Sequence, residues 1–301
     1  RKSTRLRRSR ESSRWAASLA AWPPPPAGVR WIYVADRESD IYEVFEGCGV
    51  RGVDWVIRAA QARALLAEDR SVFAAVAQAP VRGHLSVELR ARSGQPARTM
   101  RAALRACTVT LRGPWRPGGQ LAPRKLQVVE VREVAPPAGS KPLVWVLLTS
   151  LPVSTLAQIK RIVGCYTQRW LVEEFHKALK SGTQIEASQL ATGRALQVLC
   201  ALLSLVALRL LETKLYARAF PDLPVQPGQF APEFITLLAA RLGRPRGGWT
   251  QRTVWRGIAR HGGFLARQGD GEPGWITIWR GWRSLLNMVE GIVLYRKKSA
   301  Q

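Results

Sequence analysis

The stretch Tyr166–Gly182, YTQRWLVEEFHKALKSG, organises the reading of this 301-residue chain. On a helix at about 100° per residue, Arg169, Glu173, Lys177 and Lys180 all fall within about 60° of Tyr166. Leu171, Val172, Phe175, Ala178 and Leu179 gather on the opposite side. One stripe therefore meets a core, while the other presents a tyrosine, an arginine, a carboxylate and two lysines. A carboxylate among cations can hold a divalent ion while its neighbours grip phosphates. The same spacing also suits a solvated face tied by an i,i+4 pair such as Glu173 with Lys177, and periodicity alone favours that. Glu174 is the competing carboxylate, at the edge of the stripe.

Upstream, WIYVA (Trp31–Ala35) and WVIR (Trp55–Arg58) are short β-branched and aromatic runs that predict buried strands, with a helix from Ser39 to Glu46 between them. This is α/β alternation, and it puts Asp36 at the C-terminal end of a strand, where such sheets place their sites. Glu38, Asp40 and Glu43 are acidic too; their simplest role is to favour the N-terminal half of the following helix. Residues 1–26 read as a basic arm and a linker ending in the Pro23–Pro26 run, with the end of a helix at Trp15–Ala21. Residues 27–70 form the first part of the α/β core. Alternating stretches at His84–Leu89, Cys107–Leu111 and Leu126–Val131 predict an inserted antiparallel β region over 71–140. Residues 141–220 resume the core with a strand at Leu143–Thr149 and helices at Thr155–Ile162, Gly164–Lys180 and Ala195–Ala217. A linker at Pro221–Pro232 leads into a helical region that completes residues 221–301, interrupted at Gly269–Gly274.

The net charge of +25, from 46 Lys and Arg against 21 Asp and Glu, points to a polyanionic partner, with nucleic acid the first choice. A ribosome-like or merely arginine-rich protein is the blander reading. Four scattered cysteines without a C-x-x-C, and only three histidines, leave little for a zinc site and suggest reduced thiols. No secretory signal opens the chain. The longest apolar run, Ala195–Leu211, is short for a membrane span and contains Arg209, so it is expected to be a buried core helix and no membrane partner is expected.

The literal spacing Tyr166-x-x-Arg169-x-x-x-Glu173-x-x-x-x-x-x-Lys180 resembles the tyrosine–arginine–glutamate–lysine signature of the DDE transposases of the insertion sequence four family, and the local string is close to the transposon-five type. VADRESDIYEVF (Val34–Phe45), PLVWVLLTSLPV (Pro142–Val153) and GGFLARQGDGEPGWITIWRGW (Gly262–Trp282) resemble further blocks in the same order, so the likeness spans about residues 11–291. It implies a ribonuclease H-like α/β core, here incomplete, with an inserted β region and an all-α dimerisation region. Asp36 and Glu173 would be catalytic metal ligands, with Mg2+ or Mn2+ as cofactor. Tyr166, Arg169, Lys177, Lys180 and Arg58 would contact DNA, and Trp145 would receive a base flipped out of the transposon end. For Trp145 an ordinary strand-core aromatic is the alternative. The implied chemistry is two-ion phosphoryl transfer that nicks double-stranded DNA, closes and reopens a hairpin, and joins the end to target. The implied setting is a cytoplasmic, nucleoid-associated homodimer.

The resemblance also implies a third carboxylate on an earlier strand. Upstream of Asp36 the only acid is Glu11, in an Arg/Ser-rich stretch. The chain also begins with arginine rather than methionine, so an N-terminally truncated copy is expected. A catalytically inactive DNA-binding or dimerising fragment is the competing reading; a ribonuclease H-like nuclease unrelated to transposition is weaker.

Overall fold

The computed structural model describes residues 13–89, 98–139 and 141–299. The basic arm expected at the start lies outside them but for its last residues. The chain divides into two compact units, one ending at Arg169 and the other beginning at Trp170.

The first unit opens with α1 (Ser13–Ala20) and is built on one six-stranded sheet. In chain order come β1 (Ile32–Ala35), α2 (Tyr42–Val50), β2 (Asp54–Arg58), α3 (Val72–Gln78), β3 (Val81–Leu89) and β4 (Arg98–Leu111). A small hairpin follows, β5 (Trp115–Arg116) and β6 (Gly119–Gln120), then β7 (Arg124–Glu133), β8 (Val144–Thr149) and α4 (Leu156–Thr167). The sheet order is β1-β2-β8-β7-β4-β3. Only β1 and β2 are parallel, joined through the short α2 crossover; the other pairs are antiparallel. The strands expected as an inserted β region therefore extend the same sheet as β1 and β2, with β8 returning between β2 and β7.

Alternation along the strands gives the sheet two buried faces. Trp55, Ile57, Val109, Leu126, Val128 and Leu148 pack with α1, α2 and α3. Val56, Leu104, Val129, Val131 and Leu147 pack with Ile159, Ile162 and Val163 of α4. Helix α4 starts at a capping box in which Thr155 and Gln158 bond each other's backbone, and it runs straight through Gly164. Two expectations shift here. Asp36 caps a 3-10 turn over Arg37–Ser39, which delays α2 to Tyr42. Helix α3, capped by the Ser71 side chain, lies inside the region expected to be β. All four cysteines are free, and burial pushes the Cys48 thiol up to about 12, so it stays protonated near neutrality.

The second unit is helical: α5 (Trp170–Lys177), a π-helical turn at Ala178–Gly182, α6 (Gly193–Ala219), α7 (Pro232–Leu242), α8 (Gln251–His261) and α9 (Trp275–Ser299). Ala178, Leu210, Leu211, Trp255 and Trp275 share one core; Phe234, Leu238, Val254, Ile258 and Leu285 share another. The expectation that the apolar α6 is a buried core helix is not met. Only its C-terminal part enters the core, while Val198, Leu202, Leu205 and Leu208 are each more than half exposed. By length and composition alone α6 could cross a membrane.

Helices α8 and α9 cross at backbone distance. A β-carbon on Gly281 would lie 1.8 Å from the Ile258 carbonyl oxygen. Gly281→Ala is therefore expected to force the helices apart and cost about 1–3 kcal/mol or more. Gly291 on the same helix has open space around it, so Gly291→Ala should be neutral or slightly stabilising. Thermal melts of the two variants check this, and equal melting temperatures would contradict the packing.

Candidate active site

The period of two along the strands decides which side chains meet. On β1 and β2 the even-numbered residues Ile32, Val34 and Val56 belong to the α4 side of the sheet, and the odd-numbered Tyr33, Trp55 and Ile57 to the other. Ala35 pairs with Ile57, so Asp36 and Arg58 come next in register at the C-terminal ends of two adjacent parallel strands. Both continue the even series toward α4. The first residues of β8 lie at the same end, because β8 runs antiparallel to β2 with Arg58 opposite Leu147. Trp145 there also faces α4. The last turn of α4 supplies Tyr166, and Arg169 follows it.

These five side chains form one neighbourhood in the first unit. The Arg169 guanidinium lies 3.9 Å from the Asp36 carboxylate, whose other oxygen accepts the Glu38 N–H at 3.0 Å. Arg58 donates to the Val144 carbonyl at 3.3 Å, which holds its head at the start of β8. Tyr166 meets Trp145 edge to face, with ring centroids 5.4 Å apart. The Asp36 side chain is 47% exposed, so its charge stays reachable from solvent.

One neighbouring acid is committed to structure. Asp40 was expected to favour a helix N-terminus. Instead it is buried and accepts from the backbone N–H groups of Ala60 (2.7 Å) and Gln61 (3.0 Å) and from Arg63 (2.8 Å). It ties the loop after β1 to the loop after β2, which steadies the strand ends carrying Asp36 and Arg58. Glu43 is paired with Arg116.

Glu173, Lys177 and Lys180 lie in the second unit, where the helix is less regular than a uniform wheel. After α4 closes on 3-10-type bonds from Gln168 and Arg169, α5 begins at Trp170 and widens into the π turn at Ala178. The wider turn takes Lys180 off the Glu173 meridian, and its ammonium pairs with Glu186 at 3.4 Å. At the near end Tyr166 is 7% exposed, a core residue rather than part of an open stripe. Lys177 pairs with Glu174 at 3.6 Å and lies 5.2 Å from the Trp170 ring centre.

The two adjacent glutamates stand in different surroundings. Glu174 is buried and accepts from Lys214 of α6 at 2.6 Å, while Lys214 also sits over the Trp275 ring at 4.1 Å. The buried face of α5 is thus turned toward Glu174, leaving Val172, expected on the apolar stripe, 46% exposed. Glu173 is only half-buried. Lys214 was not foreseen, because its position in an apolar helix gives no sign of a partner 40 residues earlier. Among the described residues no group of three His, Cys, Asp or Glu side chains stands together as a metal centre.

Comparison with known protein families agrees with this layout. Residues 232–301, which include α7, α8 and α9, match the Transposase Tn5 dimerisation domain. Residues 26–209, more than half of the chain, match the Transposase DDE domain and span β1 with Asp36, α4 and α5 with Glu173. A mixed sheet with an acid at a parallel strand end, followed by a glutamate helix and a helical dimerisation region, belongs to a bacterial DDE transposase of the Tn5 type.

Proposed function

We propose that the chain is a cut-and-paste transposase of a bacterial insertion sequence, acting as a homodimer on the element's double-stranded DNA ends and on target DNA. The observation that carries this reading is the grouping of Asp36 with Arg58, Trp145, Tyr166 and Arg169 on one face at a parallel strand end. A carboxylate at such a place, bordered by guanidinium groups and an aromatic pair, suits a phosphodiester whose neighbouring base is unstacked. Arg58 and Arg169 bind phosphate oxygens, and Lys177 and Lys180 add charge along the helix. Trp145, braced by Tyr166, offers a ring for a flipped base; such stacking contributes about 1–3 kcal/mol per base. Asp36 and Glu173 are the carboxylates assigned to chemistry, which proceeds through nicking, hairpin formation and strand transfer. The setting is the cytoplasm, at the nucleoid.

DDE transposases use divalent metal, for which Mg2+ is the proposed ion and Mn2+ a substitute. The described residues do not by themselves fit a two-ion centre, since no three-donor group is present. Glu11 is the only acid preceding Asp36. This favours a second reading of the 301-residue chain taken alone: it binds and dimerises but does not cut, and it can act as an inhibitor in mixed dimers. Incubating the purified chain with terminal-repeat DNA in magnesium tests this. Retained complexes without nicks are expected; robust cleavage would show that the chain completes its own site.

A further inference from the structure

We propose that the outer face of α8 binds the phosphate backbone of duplex DNA, making the dimerisation region a second DNA-contact surface. Arg252, Arg256 and Arg260 recur every four residues along α8, while Val254, Trp255, Ile258 and Ala259 are buried. Successive guanidinium groups are therefore carried about 6 Å apart along the helix axis on one stripe. That row can follow consecutive phosphates of one strand, and arginine offers each a forked donor pair. The stripe continues onto the last turn of α6. There Arg218 and Arg252 line a shallow cavity of about 120 Å³ together with Ala217, Pro221, Trp255 and Glu272.

Charge accounting supports an anionic partner over a solvated face. Residues 232–301 hold twelve Lys and Arg against four Asp and Glu. Of the four acids, Glu233 is paired with Arg296 (2.8 Å), Glu272 with Arg256 (3.2 Å), and Asp270 accepts the Arg267 backbone N–H (2.7 Å). Arg256 is also held over Phe264, at 5.4 Å from the ring centre. Arg218, Arg252 and Arg260 have no carboxylate partner among the described residues. Association of two subunits alone needs no such excess of one sign. Arginines left without a carboxylate partner on both sides of the paired Arg256 are the footprint of backbone recognition, which carries no sequence preference.

The test is the salt dependence of binding to a mixed-sequence 20-base-pair duplex, measured with the whole chain. Each phosphate contact contributes about 0.9 to the slope of log affinity against log salt. Arg252→Ala with Arg260→Ala should lower that slope by about 2 and leave the dimer and the thermal melt intact. Arg252→Lys with Arg260→Lys should restore most of it, because phosphate needs charge at these positions. Arg280→Ala with Arg283→Ala, the same charge removed from α9, should leave the slope nearly unchanged. An unaltered slope in the α8 alanine pair overturns the proposal. So does an equal fall in both alanine pairs, which reports net charge alone. Loss of dimer in the α8 pair, or no duplex binding by the unmodified chain, overturns it as well.

Discussion

Lys214→Ala is expected to destabilise the second unit by about 3–5 kcal/mol, because it leaves the Glu174 carboxylate buried without its closest cation. Glu174 and Lys214 side chains are only 11% and 10% exposed and meet at 2.6 Å, so water cannot replace the lost ammonium cheaply. Removing the pair together, as Glu174→Gln with Lys214→Met, should recover most of the loss, since no uncompensated charge then remains. Urea denaturation of the three proteins, followed by circular dichroism, measures this. A Lys214→Ala cost below about 1 kcal/mol would mean that the pair is solvated and does not set the rotation of α5.

The second large effect concerns the adjacent carboxylate. Glu173 is half-buried and Glu174 is held by Lys214, so the two positions should separate function from stability. Glu173→Gln should lower DNA nicking at least about 1000-fold, a barrier increase of roughly 4 kcal/mol, with little change in melting temperature or in DNA binding. Glu174→Gln should do the reverse, lowering stability while sparing most of the activity of the folded protein. The assay is read in a form of the protein that nicks DNA.

Much of the fold follows from local pattern. The runs at Trp31–Ala35, Trp55–Arg58 and Leu143–Thr149 announce β1, β2 and β8 within a residue, because β-branched and aromatic clusters between turn residues suit only buried strands. What local pattern does not carry is partnership. Alternation at His84–Leu89 and Leu126–Val131 marks strands but not the sheet they join, since order depends on contacts distant in sequence. Helix α6 departs from expectation for the same reason: its composition says apolar, but burial depends on neighbours, and Val198, Leu202, Leu205 and Leu208 stay exposed.

The candidate site divides in the same way. Asp36 and Arg58 could be placed at strand ends from the sequence, and register then brings them side by side. The helix carrying Glu173 was legible as a period of 3.6, yet the period does not reveal the tightening before Trp170 or the π turn after Lys177. Those departures move Lys180 out of line, while Tyr166 is buried in the core between the sheet and α4 and Glu174 is held by Lys214. A wheel assumes a uniform twist, and here the twist changes on both sides of Glu173.

The most direct measurement is magnesium-dependent nicking of terminal-repeat DNA by a form of the protein that nicks and by its Glu173→Gln and Glu174→Gln variants, each corrected for the fraction folded. Nicking abolished by Glu173→Gln and kept by Glu174→Gln is the predicted result. Nicking that survives in Glu173→Gln, or is lost only in Glu174→Gln, would contradict the assignment of Glu173 as the carboxylate that α5 presents for chemistry.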